Sequence, residues 1–289
     1  MVIKKNRQLG LAIITAVYIA AAIIAFYVSR QLVNNDLISR IFWADLAATV
    51  FVYLVGVILS NATVYDPYWS VAPIVIAASL IYSLEVSGAG VWLLFAVICI
   101  WGVRLTANWV YTFRDLDHQD WRYDLFKERF PRAYPLISFG GIHLFPTMVV
   151  FFAMIPAIKF IERPGFNFYT AAAGLICLAA AVLQGVADLQ MHRFRKQREN
   201  PADIIETGLW SCCRHPNYLA EIIFWWGIYI FIVSVDPGLW RLGFGALINT
   251  MMFVFISIPM AERRLASQKS SYEEYVARTR LLIPLKKSS

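Results

Sequence analysis

Eight long apolar stretches, at about 9–29, 38–60, 70–86, 91–112, 138–160, 169–190, 217–235 and 240–259, alternate with short polar breaks along the chain. A helix needs roughly 20 apolar residues to cross a bilayer. The pattern therefore predicts an all-α, polytopic transmembrane bundle with about 7–8 spanning helices. The third stretch is short and contains Pro73, which predicts a broken or tilted helix and leaves the count between seven and eight. No repeat and no low-complexity linker interrupts the pattern, so residues 1–289 read as one domain. Lys4, Lys5 and Arg7 ahead of the first stretch imitate a signal peptide. The apolar run is too long and lacks a small-residue cleavage site, so it reads as a retained helix.

The polar breaks are not equivalent. Basic residues precede the first stretch, and others follow the fourth (Arg114, Arg122, Lys127, Arg129, Arg132), the sixth (Arg193, Arg195, Lys196, Arg198) and the last. The turns near 87–90 and 236–239 have neither Lys nor Arg, and only Arg30 and Arg163 depart from the pattern. The positive-inside rule then predicts eight crossings with N- and C-termini cytoplasmic. That topology gathers Asp66, the 113–137 loop, the 191–216 loop and the tail on one face. It also puts the sequon Asn61-Ala62-Thr63 on the wrong side for glycosylation.

Composition narrows the class. Hydrophobic residues make up 59% of the 289 and charged residues 16%, and mean hydropathy is +0.58. A soluble domain is nearer ~25% charged. The net charge of +7 sits at segment ends, where it anchors helices among membrane lipids, and so argues against a nucleic-acid partner. Cys99, Cys177, Cys212 and Cys213 follow no metal-ligand spacing; no metal is expected, and adjacent Cys212 and Cys213 read as reduced thiols.

Candidate chemistry concentrates between residues 184 and 221. On a helix, Gln184, Asp188, His192 and Arg195 share one face, and the cations that follow form a mouth suited to phosphates, or simply a topology anchor. Arg214-His215-Pro216-Asn217-Tyr218 then opens the next stretch, with Pro216 suited to a helix start and Asn217 and Glu221 on one face. Such a helix start attracts an anion; Arg214 and His215 otherwise pair with lipid phosphates. Arg104, well inside its stretch near Trp101, Asn108 and Tyr111, needs an anionic partner. Asp66, in Tyr65-Asp66-Pro67-Tyr68-Trp69-Ser70, reads as a general acid or as a helix cap. Arg114-Asp115 and Asp120-Trp121-Arg122-Tyr123 read as an adenosine wall or a solvated connection, and the tail from Glu262 as an interfacial helix with an extended end.

Tyr68-Trp69-Ser70, Trp101-Gly102-Val103-Arg104-Leu105, Arg122-Tyr123, Gly208-Leu209-Trp210-Ser211, Arg214 to Tyr218 and Tyr275…Ile283-Pro284 occur in an order that resembles the steroid 5α-reductase superfamily, in its uncharacterised membrane branch. The resemblance spans about residues 60–285, leaves the first stretch outside, and is strongest over 184–226. Sterol C14-reductases and isoprenylcysteine carboxyl methyltransferases carry a similar Arg-His-Pro-Asn-Tyr run. The reductase resemblance implies NADPH bound from the cytoplasmic side. Asn217 and Glu221 would lie near the nicotinamide, Arg104, Asp188 and Arg195 at phosphate and ribose, and Gln184 at a position where the steroid enzymes have asparagine. Arg114, Arg214, His215, Tyr218 and Tyr275 complete the cofactor-binding set. Asp66 falls where those enzymes carry the catalytic glutamate. Trp101 stands where they carry a tyrosine, so Tyr68 or Tyr111 substitutes as proton donor or the reaction differs.

These readings predict an NADPH-dependent reductase of an activated C=C in a lipophilic, steroid-like or other lipid substrate, with Asp66, Tyr68, Tyr111 and Glu221 as catalytic candidates. An S-adenosylmethionine-dependent lipid or prenylcysteine methyltransferase is the alternative enzyme. A scaffold that has lost activity is the non-enzymatic one. The membrane is a bacterial inner membrane, or the endoplasmic reticulum if Lys286-Lys287-Ser288-Ser289 acts as a retrieval signal.

Overall fold

The computed structural model describes residues 2–269 and 271–284; the terminal dilysine lies outside them. Among the described residues it is 80% helical and has no strands. Eight helical stretches are long and apolar enough to cross a membrane, so the chain is an integral, multi-pass membrane protein.

The first four crossings are α1 (Arg7–Gln31), α2 (Leu37–Leu59), α3 (Tyr68–Ser83) and α4 (Ala89–Thr112), with a 3-10 turn at Ala62–Tyr65 leading into α3. Pro73 does not break α3, which continues for ten residues beyond it. The 113–137 connection, expected as a loop, contains α5 (Trp121–Arg129), started by an Asp120 side chain that accepts from the Arg122 backbone N–H at 2.9 Å. The fifth crossing joins α6 (Tyr134–Ile137) to α7 (Phe145–Glu162) through a π-helical turn at Ser138–Leu144. α8 (Phe168–Gln197) begins in an Asn167/Thr170 capping box and α9 (Pro216–Val235) at Pro216. The eighth crossing runs past its expected end near 259. It comprises a 3-10 segment at Pro237–Gly243, α10 (Phe244–Met252), a π turn at Phe253–Ser257 and α11 (Ile258–Gln268). Glu262, Arg263 and Arg264 therefore lie on the helix that continues from the eighth crossing, and α12 (Tyr272–Arg278) follows.

With no hydrophobic driving force between helices in lipid, association rests on close packing at small residues. Gly102 lets α4 approach the Ser70 carbonyl of α3, and Gly245 lets α10 approach the Phe152 carbonyl of α7; a Cβ at either would collide with backbone. α8 and α9 pack along most of their lengths, and α4, α7 and α9 complete the core around the fully buried Trp101, Phe160, Phe224, Trp225 and Phe231. A second cluster, around Val52, Tyr65, Tyr68, Phe113 and Leu116, packs α1 and α2 against the base of α3 and the end of α4. Eight crossings bring the start of α1 and the end of α11 to one face. The Leu116 N–H donates to Lys4 O there, and Lys269 Nζ reaches the carbonyls of Pro201 and Asp203. The α4 connection, the α8–α9 loop and the tail thus converge on one basic face.

Candidate functional site

A polar ladder runs down the interface of α4 with α8 and α9. At its deep end Glu221 is buried and accepts three N–H bonds: from Trp101 Nε1 at 2.9 Å, Gln184 Nε2 at 2.8 Å and Trp225 Nε1 at 2.9 Å. Trp101, whose indole stacks on Phe224 at 4.9 Å, is the cap of this carboxylate. One helical turn outward, Arg104 Nη1 donates to Asp188 Oδ2 at 2.8 Å, while Arg104 Nε and Nη2 are buried without a protein partner. A turn further, His192 Nε2 lies 2.7 Å from Asn108 Oδ1, and its ring packs edge-on against Tyr111, over which Lys196 sits at 5.4 Å. Each rung advances three or four residues on α4 and about four on α8, as two helices running the same way require. At the rim, exposed Arg195 stands in the field of Asp188, Arg198 and Arg264.

Asn217, in the first turn of α9 on the same side as Glu221, accepts at Oδ1 from the Tyr218 N–H at 3.0 Å. Tyr218 stacks on His215 at 5.3 Å and lies in the fields of Arg122, Asp120 and Asp188, which ties α9 to both α5 and α8. Arg264 of α11 lies 3.9 Å above the Trp121 ring and closes the same face.

Asp66 sits at the foot of α3. Its Oδ1 accepts from Tyr123 Oη of α5 at 2.6 Å. Burial first, and the Asp66 carboxylate second, push the Tyr123 phenol well above its ordinary range, so it stays protonated and donates. The two tyrosines expected to substitute for the family tyrosine at Trp101 have other partners. Tyr68 donates to Asp45 Oδ1 of α2 at 2.7 Å, and Tyr111 is 54% exposed beside His192. Arg122, paired with Asp120 at 2.7 Å, acts electrostatically on both Asp66 and Tyr218 and links this corner to the α8–α9 side.

Arg214 and His215 are engaged by the tail. Arg214 donates from Nε and Nη2 to Glu262 at 3.1 and 3.0 Å and from Nη1 to Thr279 O at 2.6 Å, and its backbone N–H donates to Arg280 O at 2.9 Å. His215 Nε2 lies 2.6 Å from Glu262 Oε1. Tyr275 Oη donates to Trp210 O at 2.6 Å. A bidentate guanidinium–carboxylate pair of this kind is among the stronger polar contacts available. In this arrangement the Arg-His-Pro run holds the tail against the start of α9.

Of the residues singled out from sequence, the structure thus groups Arg104, Gln184, Asp188, Arg195, Asn217, Tyr218 and Glu221 along one wall. It gives Arg214, His215 and Tyr275 to the tail contact, and leaves Arg114 exposed beyond α4. Sequence reading missed Tyr123 as the partner of Asp66, Glu262 as the partner of Arg214, and a polar group within α2 and α7. There Asp45 is 7% exposed, Thr49 and Tyr65 share Thr147 at 3.1 and 2.8 Å, and His143 bonds Ser138 O at 2.8 Å. Asp45, a lone acid in an apolar stretch, was the available signal for it.

An all-helical, eight-crossing bundle with a hydrogen-bonded polar interior that ends at one basic face defines a polytopic membrane protein. Residues 52–279 match the family described as "Protein of unknown function (DUF1295)". The chain belongs to that family, which is part of the steroid 5α-reductase-like superfamily. No curated protein and no solved structure gave a match. The match excludes α1 and the first two thirds of α2.

Proposed function

We propose that the protein is an NADPH-dependent reductase of an activated C=C in a lipophilic substrate, with its basic face in the cytoplasm. The observation that carries this reading is Arg104. Its Nε and Nη2 are buried with no protein acceptor, beside Asp188 and below the cations at the end of α8. Buried polar groups of folded proteins nearly always have partners, and stranded guanidinium donors suit the oxygens of a phosphate or ribose. Gln184 Oε1, likewise buried and unpartnered, suits an amide or hydroxyl donor. The residues present therefore fit a dinucleotide held by Arg104, Asp188, Arg195, Gln184, Asn217 and Tyr218. When bound, NADPH supplies the hydride.

The chain's own contribution is a proton donor and a dry wall. Tyr123 Oη is the donor: Asp66 holds it ready in the free protein, and a substrate carbonyl that displaced the carboxylate would accept the phenol's hydrogen bond in its place, stabilising the developing enolate oxygen. Tyr123 thus takes the part for which Trp101, engaged with Glu221, has no hydroxyl. Glu221 holds the indoles and Gln184 in register.

The convergence of Arg214 and His215 on Glu262 favours the methyltransferase as the second reading, since both the run and the tail are features it shares. Thermal shift of the detergent-solubilised chain with NADPH and with S-adenosylmethionine separates the two. NADPH alone should stabilise it. Arg104→Gln and Asn217→Ala should abolish that shift, whereas Asp66→Asn and Tyr123→Phe should retain it and lose turnover on an enone panel. Stabilisation by S-adenosylmethionine only would replace the reductase with the methyltransferase.

A further inference from the structure

A groove of about 620 Å³ lies on the membrane side of α3 and α4. Its lining is Val71 and Ile74 from α3 with Val103, Thr106, Ala107 and Val110 from α4. Thr106 is the only hydroxyl among these six, and it is already bonded to Ser70 Oγ at 2.9 Å, so the trough makes no polar demand. A flexible hydrocarbon chain fits such a lining better than a molecule with several polar groups.

One end differs. Arg7 and Tyr111 line it, at the basic face. Arg7 donates to Val110 O at 2.7 Å and Phe113 O at 3.0 Å, which fixes its guanidinium over the last turn of α4. Lys196 is held over the Tyr111 ring, and exposed Arg114 follows α4. Among the described residues no carboxylate pairs with Arg7, Lys196 or Arg114. Three cations at headgroup level above an apolar trough are complementary to one lipid class. We propose that the α3–α4 groove binds an anionic glycerophospholipid, one acyl chain along Val103–Val110 and its phosphate between Arg7 and Lys196. Such clusters between membrane helices favour acidic headgroups at roughly fivefold in affinity per basic residue. The acyl trough lies on the face of α4 away from Arg104, while Tyr111 and Lys196 border both the trough and the outer rung of the polar ladder.

Native mass spectrometry of the full chain, titrated with phosphatidylglycerol or phosphatidylcholine of the same acyl chains, tests it. The wild type should retain one phosphatidylglycerol at least about 25-fold more tightly than phosphatidylcholine, as two or more cations at roughly fivefold each imply. Lys196→Gln should weaken phosphatidylglycerol about fivefold and leave phosphatidylcholine unchanged. Ala107→Trp, which fills the trough from an exposed position, should weaken both, with NADPH or S-adenosylmethionine thermal shifts unaltered. Equal retention of the two lipids would overturn the headgroup assignment, and undiminished binding in Ala107→Trp would overturn the groove.

Discussion

Glu221 is the residue on which sequence and structure part most informatively. From sequence it is an acid in the first turns of an apolar helix, and so a candidate for chemistry. In the structure its two oxygens are occupied by the indoles of Trp101 and Trp225 and the amide of Gln184, contacts that reach 120 and 37 residues along the chain. Glutamine at this position would keep one acceptor oxygen and turn an NH2 toward N–H donors. Each stranded buried donor costs about 1–3 kcal/mol. Glu221→Gln should therefore lower the Tm of the solubilised protein even without cofactor, and an unchanged Tm would show that the three bonds contribute nothing to the fold. Arg104 is the converse case: its need for an anion was legible from position alone, and Asp188 answers it only in part.

Elements follow the hydropathy pattern closely where they cross the membrane and poorly where they do not. The eight stretches appear as eight crossings because backbone groups in lipid must bond within their own segment, which leaves helix as the solution for an apolar run. The π turns at Ser138–Leu144 and Phe253–Ser257 were not legible, since one extra residue in a turn leaves average hydropathy untouched. Nor was the tail. Its order depends on Glu262 meeting Arg214 and His215, and on a backbone bridge between Cys213 and Arg280. Glu262→Gln should free the α8–α9 loop. Limited proteolysis should then cut between 199 and 212 faster than in wild type while the crossings stay protected; equal cleavage would detach the tail from any role in ordering the loop. Burial holds the Cys213 thiol above its usual range, so alkylation there should be slow until that contact opens.

For the whole molecule, helix parity and the long-range contacts of Lys4, Lys269 and Arg214 put the start of α1, the loops and the tail on one face. The proposal that this face is cytoplasmic rests on charge bias. Cys212, half-buried beside fully buried Cys213 in the α8–α9 loop, is the natural reporter. A membrane-impermeant maleimide should label it only after permeabilisation, and labelling in intact cells would invert the topology.

What the linear chain determined was its solvent: apolar length, the spacing of breaks and the sign of the charges between them specify a helical bundle and its crossings, because lipid offers the backbone no other partners. What only the tertiary structure decided was which polar groups meet. Glu221 with two indoles, Tyr123 with Asp66, Tyr68 with Asp45 and Arg214 with Glu262 are pairs made across distant segments. Hydropathy records that a buried charge must be satisfied. Only packing chooses the partner, since any of several donors would meet the same energetic demand.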